Sequence, residues 1–206
     1  MSMSRRALCA LAAGWAGLGS AGSSASTSHA GDVLVLSRWI AASADHRGRP
    51  FCIVDKKGAR AFVFASDRSL VAATPVLLGV AHGDHSVPGV GDLAPADIPI
   101  ADRTTPAGRF ISRPGKNLNG EDVVWFDHGA GLAIHRLRAN AAHAARLQRL
   151  EGGRPETRRV SAGCVVVPVA FYEQVVAPTL GRGRGVLYVL PEVRALHEVF
   201  PDLQDD

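Results

Sequence analysis

Nowhere in the 206 residues do roughly 18 apolar residues follow one another without a break, the length a helix needs to cross a bilayer, so no permanent membrane span is expected. Charge of one sign is scarce too: Lys and Arg number 23 against 19 Asp and Glu. Two of the basic residues, Arg5 and Arg6, fall in a segment expected to be removed, which halves the surplus. What is left is too small and too scattered to indicate a nucleic-acid partner, whereas a mildly basic surface suits anionic cell wall among other partners. Cysteine is rare as well, with three in the chain, and no disulfide framework is implied. No internal repeat occurs. Apolar residues do abound, at 47%, which excludes a disordered tail protein and suffices for the core of one ordinary domain plus a short appendage.

The first thirty residues carry an export pattern: Arg5 and Arg6, the apolar run from Ala7 to Leu18, then small residues from Gly19 to Ala30. Residues 1–30 are therefore expected to be a signal peptide, with the protein released to the periplasm or cell envelope. Ser4-Arg5-Arg6 with Leu8 resembles a twin-arginine signal, and Sec export is the plainer alternative. Cys9 would leave with this segment. Cys52 and Cys164 remain, either as a pair or, as the buried setting Phe51-Cys52-Ile53-Val54 favours, as two free thiols.

Residues 31–49 are expected to form a helix and linker, with Val33, Leu36 and Ile40 at helical spacing and Asp32 as the cap of a helix from Asp32 to Ala44. From Pro50 the pattern changes to short β-type runs. Strands are expected at Phe51–Val54, Ala61–Phe64, Leu70–Val80, Gly108–Ser112, Val123–Phe126, Leu132–His135 and Val186–Leu190. Turns are expected at Asp55-Lys56-Lys57-Gly58 and Arg113-Pro114-Gly115. Helices are expected at Ala139–Glu151, stopped by Gly152-Gly153, and at Val169–Val176, opened by Pro168 and ended by Pro178. The long loop from His82 to Thr105 is more apt to shape a site than to connect. Together these give a mainly β (α+β) fold, a sandwich or barrel with inserted helices over residues 50–191, and a tail over 192–206.

Ser161-Ala162-Gly163-Cys164 is the segment with most chemistry in it. A cysteine directly after glycine, ahead of the apolar Val165-Val166-Val167, can stand at a sheet edge with its own amide and that of Gly163 aimed at one substrate atom, as in an oxyanion hole. A free thiol with a pKa of about 8.5 is mostly protonated at neutral pH, so a cysteine nucleophile needs an imidazole or a cation beside it. His135, closing the run Leu132-Ala133-Ile134, is the candidate base. His128, in the turn Asp127-His128-Gly129, stands in reserve. His82, Asp84 and His85 lack a further close ligand, so no metal site is assigned. Arg136, Arg138, Arg158 and Arg159 flank both segments and suit either bidentate binding of carboxylates or a solubilising surface.

Three segments in order, Thr105-Pro106-Ala107-Gly108-Arg109-Phe110, Ala133-Ile134-His135 and Ser161-Ala162-Gly163-Cys164, resemble the motif set of the L,D-transpeptidase catalytic domain. The resemblance runs from about Phe51 to Leu190. It implies a β-rich catalytic domain in which Cys164 attacks a peptidoglycan stem peptide at its L-to-D bond and His135 acts as base, oriented by a backbone carbonyl such as that of Arg136. Gly163 and Ser161 would complete the catalytic loop, and Thr105, Arg136, Arg138 and Arg159 would bind substrate. No cofactor and no metal are implied, carbapenem-type lactams are implied as inhibitors, and the role would lie in wall biogenesis and cell shape.

Three departures mark the chain. Ala162 stands where the family has histidine, Val166 where it has Asn or Arg, and 25 residues separate His135 from Ser161, more than the family's usual spacing. Pro168-Val169-Ala170-Phe171-Tyr172 resembles a divergent branch with a longer insertion. Ala162 and Val166 keep a silent wall-binding domain in view beside an active transpeptidase or an L,D-carboxypeptidase that uses water. A papain-like peptidase is disfavoured, because there the cysteine precedes the histidine.

Overall fold

The computed structural model describes residues 24–203. The expected leader, with Arg5, Arg6 and Cys9, lies outside them except for positions 24–30, which open helix α1 (Ser24–Ser43). This helix starts eight residues before the expected cap, so Asp32 sits inside it. Its Leu36 and Ile40, one turn apart, are fully buried against Phe51, Ile53, Val186 and Tyr188.

Ten strands follow: β1 (Phe51–Asp55), β2 (Arg60–Phe64), β3 (Leu70–Pro75), β4 (Leu78–Gly79), β5 (Gly108–Lys116), β6 (Asp122–Asp127), β7 (Leu132–Arg136), β8 (Arg159–Ser161), β9 (Val165–Val167) and β10 (Gly185–Val189). Eight of them form one sheet in the order β3-β2-β1-β10-β5-β6-β7-β9, while β4 and β8 pair separately. The pairs β1 with β10 and β7 with β9 are parallel. Every residue of β1 and of β10 is buried, as suits strands covered on both faces.

The sheet curls until its ends almost meet. Leu77, just past β3, exchanges two backbone hydrogen bonds of 2.9 Å with Val166 of β9. The fold is thus mainly β, a nearly closed barrel with a few helices. Inside lie Cys52, Val54, Leu187, Ile134, Val165 and Val167, capped by Tyr172 and Val176. Outside, α1 and the C-terminal Phe200 and Leu203 cover the β1–β10 face, so residues 192–203 pack on the domain that they follow.

Besides the start of α1, four elements depart from expectation, each for a local reason. The run Leu70–Val80 is two strands, because the Val76 N–H makes its bond to the Ala59 carbonyl, where the β1–β2 turn ends the ladder, and Leu77 turns across to β9. Arg113-Pro114-Gly115 is no turn but the outer half of β5, paired with Val123, Val124 and Trp125. Gly115 allows this: a Cβ there would meet Trp125 Cδ1 at 2.7 Å. Helix α2 (His143–Gly152) starts four residues late, since the Asn140 carboxamide oxygen accepts the Ala142 N–H and turns the chain. Helix α3 (Val169–Phe171) widens into a π turn, Tyr172–Val176, and runs on past Pro178 to Thr179. The wider register just before Pro178 accommodates a ring that would crowd the carbonyl four residues back.

Candidate active site

Strand β8 delivers the chain into Ser161-Ala162-Gly163-Cys164, and β9 takes it away. Ser161 is buried; its Oγ accepts the Gly163 N–H at 3.1 Å and donates to the Cys164 carbonyl at 2.7 Å. Gly163 adopts φ +122°, and a Cβ there would lie 2.7 Å from the Thr104 carbonyl and 2.8 Å from Leu132 Cδ2. Both the dihedral and the space demand glycine. The Gly163 N–H, expected to face a substrate atom, is instead buried and taken by Ser161 Oγ.

Thr105 also belongs behind this loop. It is fully buried, its Oγ1 accepting the Gly79 N–H at 2.9 Å and donating to the Gly163 carbonyl at 2.8 Å. It cannot touch substrate, so the expected binding role is corrected to a structural one.

The parallel register of β7 and β9 sets Ile134 beside Val165 and His135 beside Val166. One step back, Cys164 falls beside Ala133, two residues from His135 along the strand. Alternation sends Ala133 and His135 to one face. From a rise of about 3.3 Å per residue and a strand spacing of about 4.8 Å, the α-carbons of Cys164 and His135 lie about 8 Å apart. No hydrogen bond joins their side chains: Cys164 Sγ sits 3.7 Å from the Gly131 carbonyl, and His135 Nδ1 2.7 Å from the carbonyl of Arg136.

A carbonyl only accepts, so Nδ1 carries the proton and Nε2 keeps its lone pair. Burial pushes the His135 pKa down to about 4, against the Arg136 carbonyl, which raises it, and with help from the charges of Arg138 and Arg146. Burial raises the Cys164 pKa, opposed by the Ala133 N–H and by Arg138. At neutral pH the resting pair is then a thiol and a neutral imidazole that can accept a proton. Cys164 and Cys52 are both free, and burial takes the Cys52 thiol to about 12.

The arginines divide. Arg138 acts electrostatically on both Cys164 and His135 and stands 3.1 Å from Glu121, half-exposed. Arg136 alternates to the other face from His135, where it lies 4.9 Å over the Tyr172 ring and 3.5 Å from Glu173. Arg158 reaches back to the Arg149 carbonyl. Arg159 is buried and pairs with Glu192 while donating to the Lys56 carbonyl, so its expected substrate contact is corrected.

That pairing belongs to a buried ion cluster that sequence reasoning missed. Lys56 Nζ lies 2.6 Å from Asp84, 3.4 Å from Glu192 and 2.9 Å from the Thr105 carbonyl. Asp84 also accepts the N–H groups of Glu192, Val193 and Arg194, so although burial raises its pKa, Lys56 and these amides hold it near 2. By sequence Lys56 reads as a turn residue and Asp84 as part of a solvated loop. His82 is exposed, 3.2 Å from Glu192; His128 is exposed and packs edge-on against Trp125. Among the described residues no group of His, Cys, Asp and Glu suited to a metal occurs, and no helix is long and apolar enough to cross a membrane. A groove of about 400 Å³ lined by Pro114, Lys116, Asp122, Tyr172 and Gly181 includes neither Cys164 nor His135.

No family model matches the chain, and no curated protein does. Among solved structures, the catalytic domain of an L,D-transpeptidase from E. faecium is similar at 16% identity and a TM-score of 0.40, over 69% of this chain and 98% of that one. A fused Zn-dependent amidase/peptidase/peptidoglycan-binding domain-containing protein from Clostridium acetobutylicum is similar at 16% identity and a TM-score of 0.39, over 68% of this chain. The match spans 51% of the Clostridium protein's length.

Proposed function

We propose that this protein is an exported acyltransferase of peptidoglycan, resembling the L,D-transpeptidases, with Cys164 as nucleophile and His135 as base. The observation that carries the reading is the pairing of β7 with β9, which sets Ala133-Ile134-His135 alongside Cys164-Val165-Val166 and so brings two of the three ordered motifs together. The Nδ1 contact with the Arg136 carbonyl supports it further, since it leaves Nε2 as the proton acceptor.

The chemistry runs in two stages. As substrate enters, the Cys164 thiol rotates toward His135 and loses its proton to Nε2. Sγ attacks the carbonyl of the L-to-D bond of a stem tetrapeptide; the tetrahedral oxyanion takes the Cys164 N–H, the C–N bond breaks, and the terminal D-residue leaves with the proton from His135. A thioester remains. An acceptor amine, its proton taken by His135, attacks the thioester; the amide forms and the thiol returns. Water as acceptor would give a carboxypeptidase. Arg138 is the cation placed to meet a stem-peptide carboxylate.

A silent wall-binding domain is the second reading, favoured by the raised Cys164 pKa and by the absence of a resting bond to His135. Exposure of protein lacking residues 1–30 to a carbapenem separates the two. The expected result is one added lactam mass on Cys164, abolished in Cys164→Ser. Uptake of nothing supports the binding domain, and a label that survives in the variant shows that another nucleophile reacts.

A further inference from the structure

We infer that Thr105 is a positioning residue that aims the Cys164 N–H at the developing oxyanion, a role that rests on the acyl-transfer reading above. The peptide unit between Gly163 and Cys164 is held at one end. Its carbonyl accepts a 2.8 Å hydrogen bond from Thr105 Oγ1. A peptide is planar and trans, with its N–H directed opposite to its C=O. A bond that pins the Gly163 carbonyl inward therefore turns the Cys164 N–H outward.

The neighbouring peptide units are held too. Ser161 Oγ takes the Gly163 N–H on one side and donates to the Cys164 carbonyl on the other. Three consecutive peptide planes are thus clamped by two hydroxyls, and the Cys164 N–H is the donor that these clamps leave over. Thr105 is in turn fixed twice. Its Oγ1 accepts the Gly79 N–H, and its own carbonyl accepts from Lys56 Nζ at 2.9 Å. Lys56, fully buried, is locked by Asp84 and Glu192. The buried ion cluster thus holds the residue whose hydroxyl bonds the peptide preceding the nucleophile, which gives a reason for burying a lysine behind this loop.

A preorganised donor accelerates only steps in which negative charge develops on oxygen. Acylation of Cys164 by a carbapenem or a phenyl thioester is such a step. Alkylation by iodoacetamide is not, because its displacement at carbon makes no oxyanion. The two reactions on one sulfur therefore separate aim of the amide from presentation of the thiol.

The test is the pair of rates, each followed by intact mass, in wild type, Thr105→Val and Thr105→Ser, with folding checked by circular dichroism. Thr105→Val should acylate at least roughly tenfold more slowly, short of the roughly 10²–10³-fold that outright loss of an oxyanion donor costs, while its alkylation rate stays within about twofold of wild type. Thr105→Ser, which keeps the hydroxyl, should recover most of the acylation rate. Equal loss in both reactions, or no loss in acylation, overturns the positioning role alone. A wild-type protein that alkylates at Cys164 but accepts no acyl group from either donor overturns the acyl-transfer reading, and the positioning role falls with it.

Discussion

Acidification should weaken this protein through His135 by an amount that the structure sets. In the unfolded chain the imidazole titrates near its ordinary value of 6.5; in the fold, burial takes it down to about 4. Between those values the unfolded state binds a proton that the folded state refuses, so stability falls as pH drops from 6.5 toward 4 and is regained on return. The gap of 2.5 between these values is equivalent to about 3 kcal/mol, reached in full only below pH 4. Between pH 7.5 and 5 the share is about 2 kcal/mol. Carboxylates contribute their own dependence, but a difference between wild type and His135→Gln, which carries no titrating ring, removes it. The assay is urea denaturation followed by tryptophan fluorescence at pH 7.5, 6 and 5 for both proteins. Wild type should lose about 2 kcal/mol more than the variant over that range. Parallel losses in the two proteins would show that the folded imidazole takes up its proton normally, and would remove the case for a neutral base at this position.

Gly163→Ala should lower stability by about 2 kcal/mol or more and abolish carbapenem uptake, since alanine meets the Thr104 carbonyl at 2.7 Å in a dihedral that it rarely adopts; an unchanged urea midpoint would contradict this. Lys56→Met should cost about 3–5 kcal/mol, because Asp84 keeps its burial and loses its cation, as read by the same denaturation at pH 7.5. In protein lacking residues 1–30, Ellman's reagent should titrate one thiol when folded and two in guanidinium, because Cys52 is buried within β1; two rapid thiols in the folded protein would mean that the β1 core opens readily.

The barrel's strands are legible in the sequence because their cues are local. Phe51 to Val54, Val123 to Phe126 and Val186 to Leu190 are apolar runs bounded by turn residues, and all three are strands within a residue or so. Elements whose conformation a distant partner decides are not legible in this way. Arg113-Pro114-Gly115 carries turn composition, yet Trp125 across the ladder keeps it extended. The residues 192–206 lack strand periodicity, yet the Glu192 carboxylate takes the Gly83 N–H and Phe200 is buried against Leu36 and Phe51, all more than a hundred residues away.

The candidate site shows the same division. Cys164 and His135 stood out by residue type and order, and the Arg136 carbonyl lies where it was looked for. The supporting residues did not stand out. Thr105 and Arg159 both read as substrate contacts, because a hydroxyl or guanidinium in a loop gives no sign of facing inward until its acceptors are known. Lys56 and Asp84 are 28 positions apart, and only the closed sheet brings them to 2.6 Å.

The central claim is that Cys164 accepts an acyl group from a stem peptide. Its most direct measurement is rapid-quench intact mass spectrometry of the protein lacking residues 1–30 with a purified tetrapeptide muropeptide, followed by peptide mapping. A covalent adduct on Cys164 equal to the substrate less its terminal D-residue, formed together with the free D-amino acid, is the expected result. Unmodified protein at every time point, with the muropeptide intact, would contradict the account.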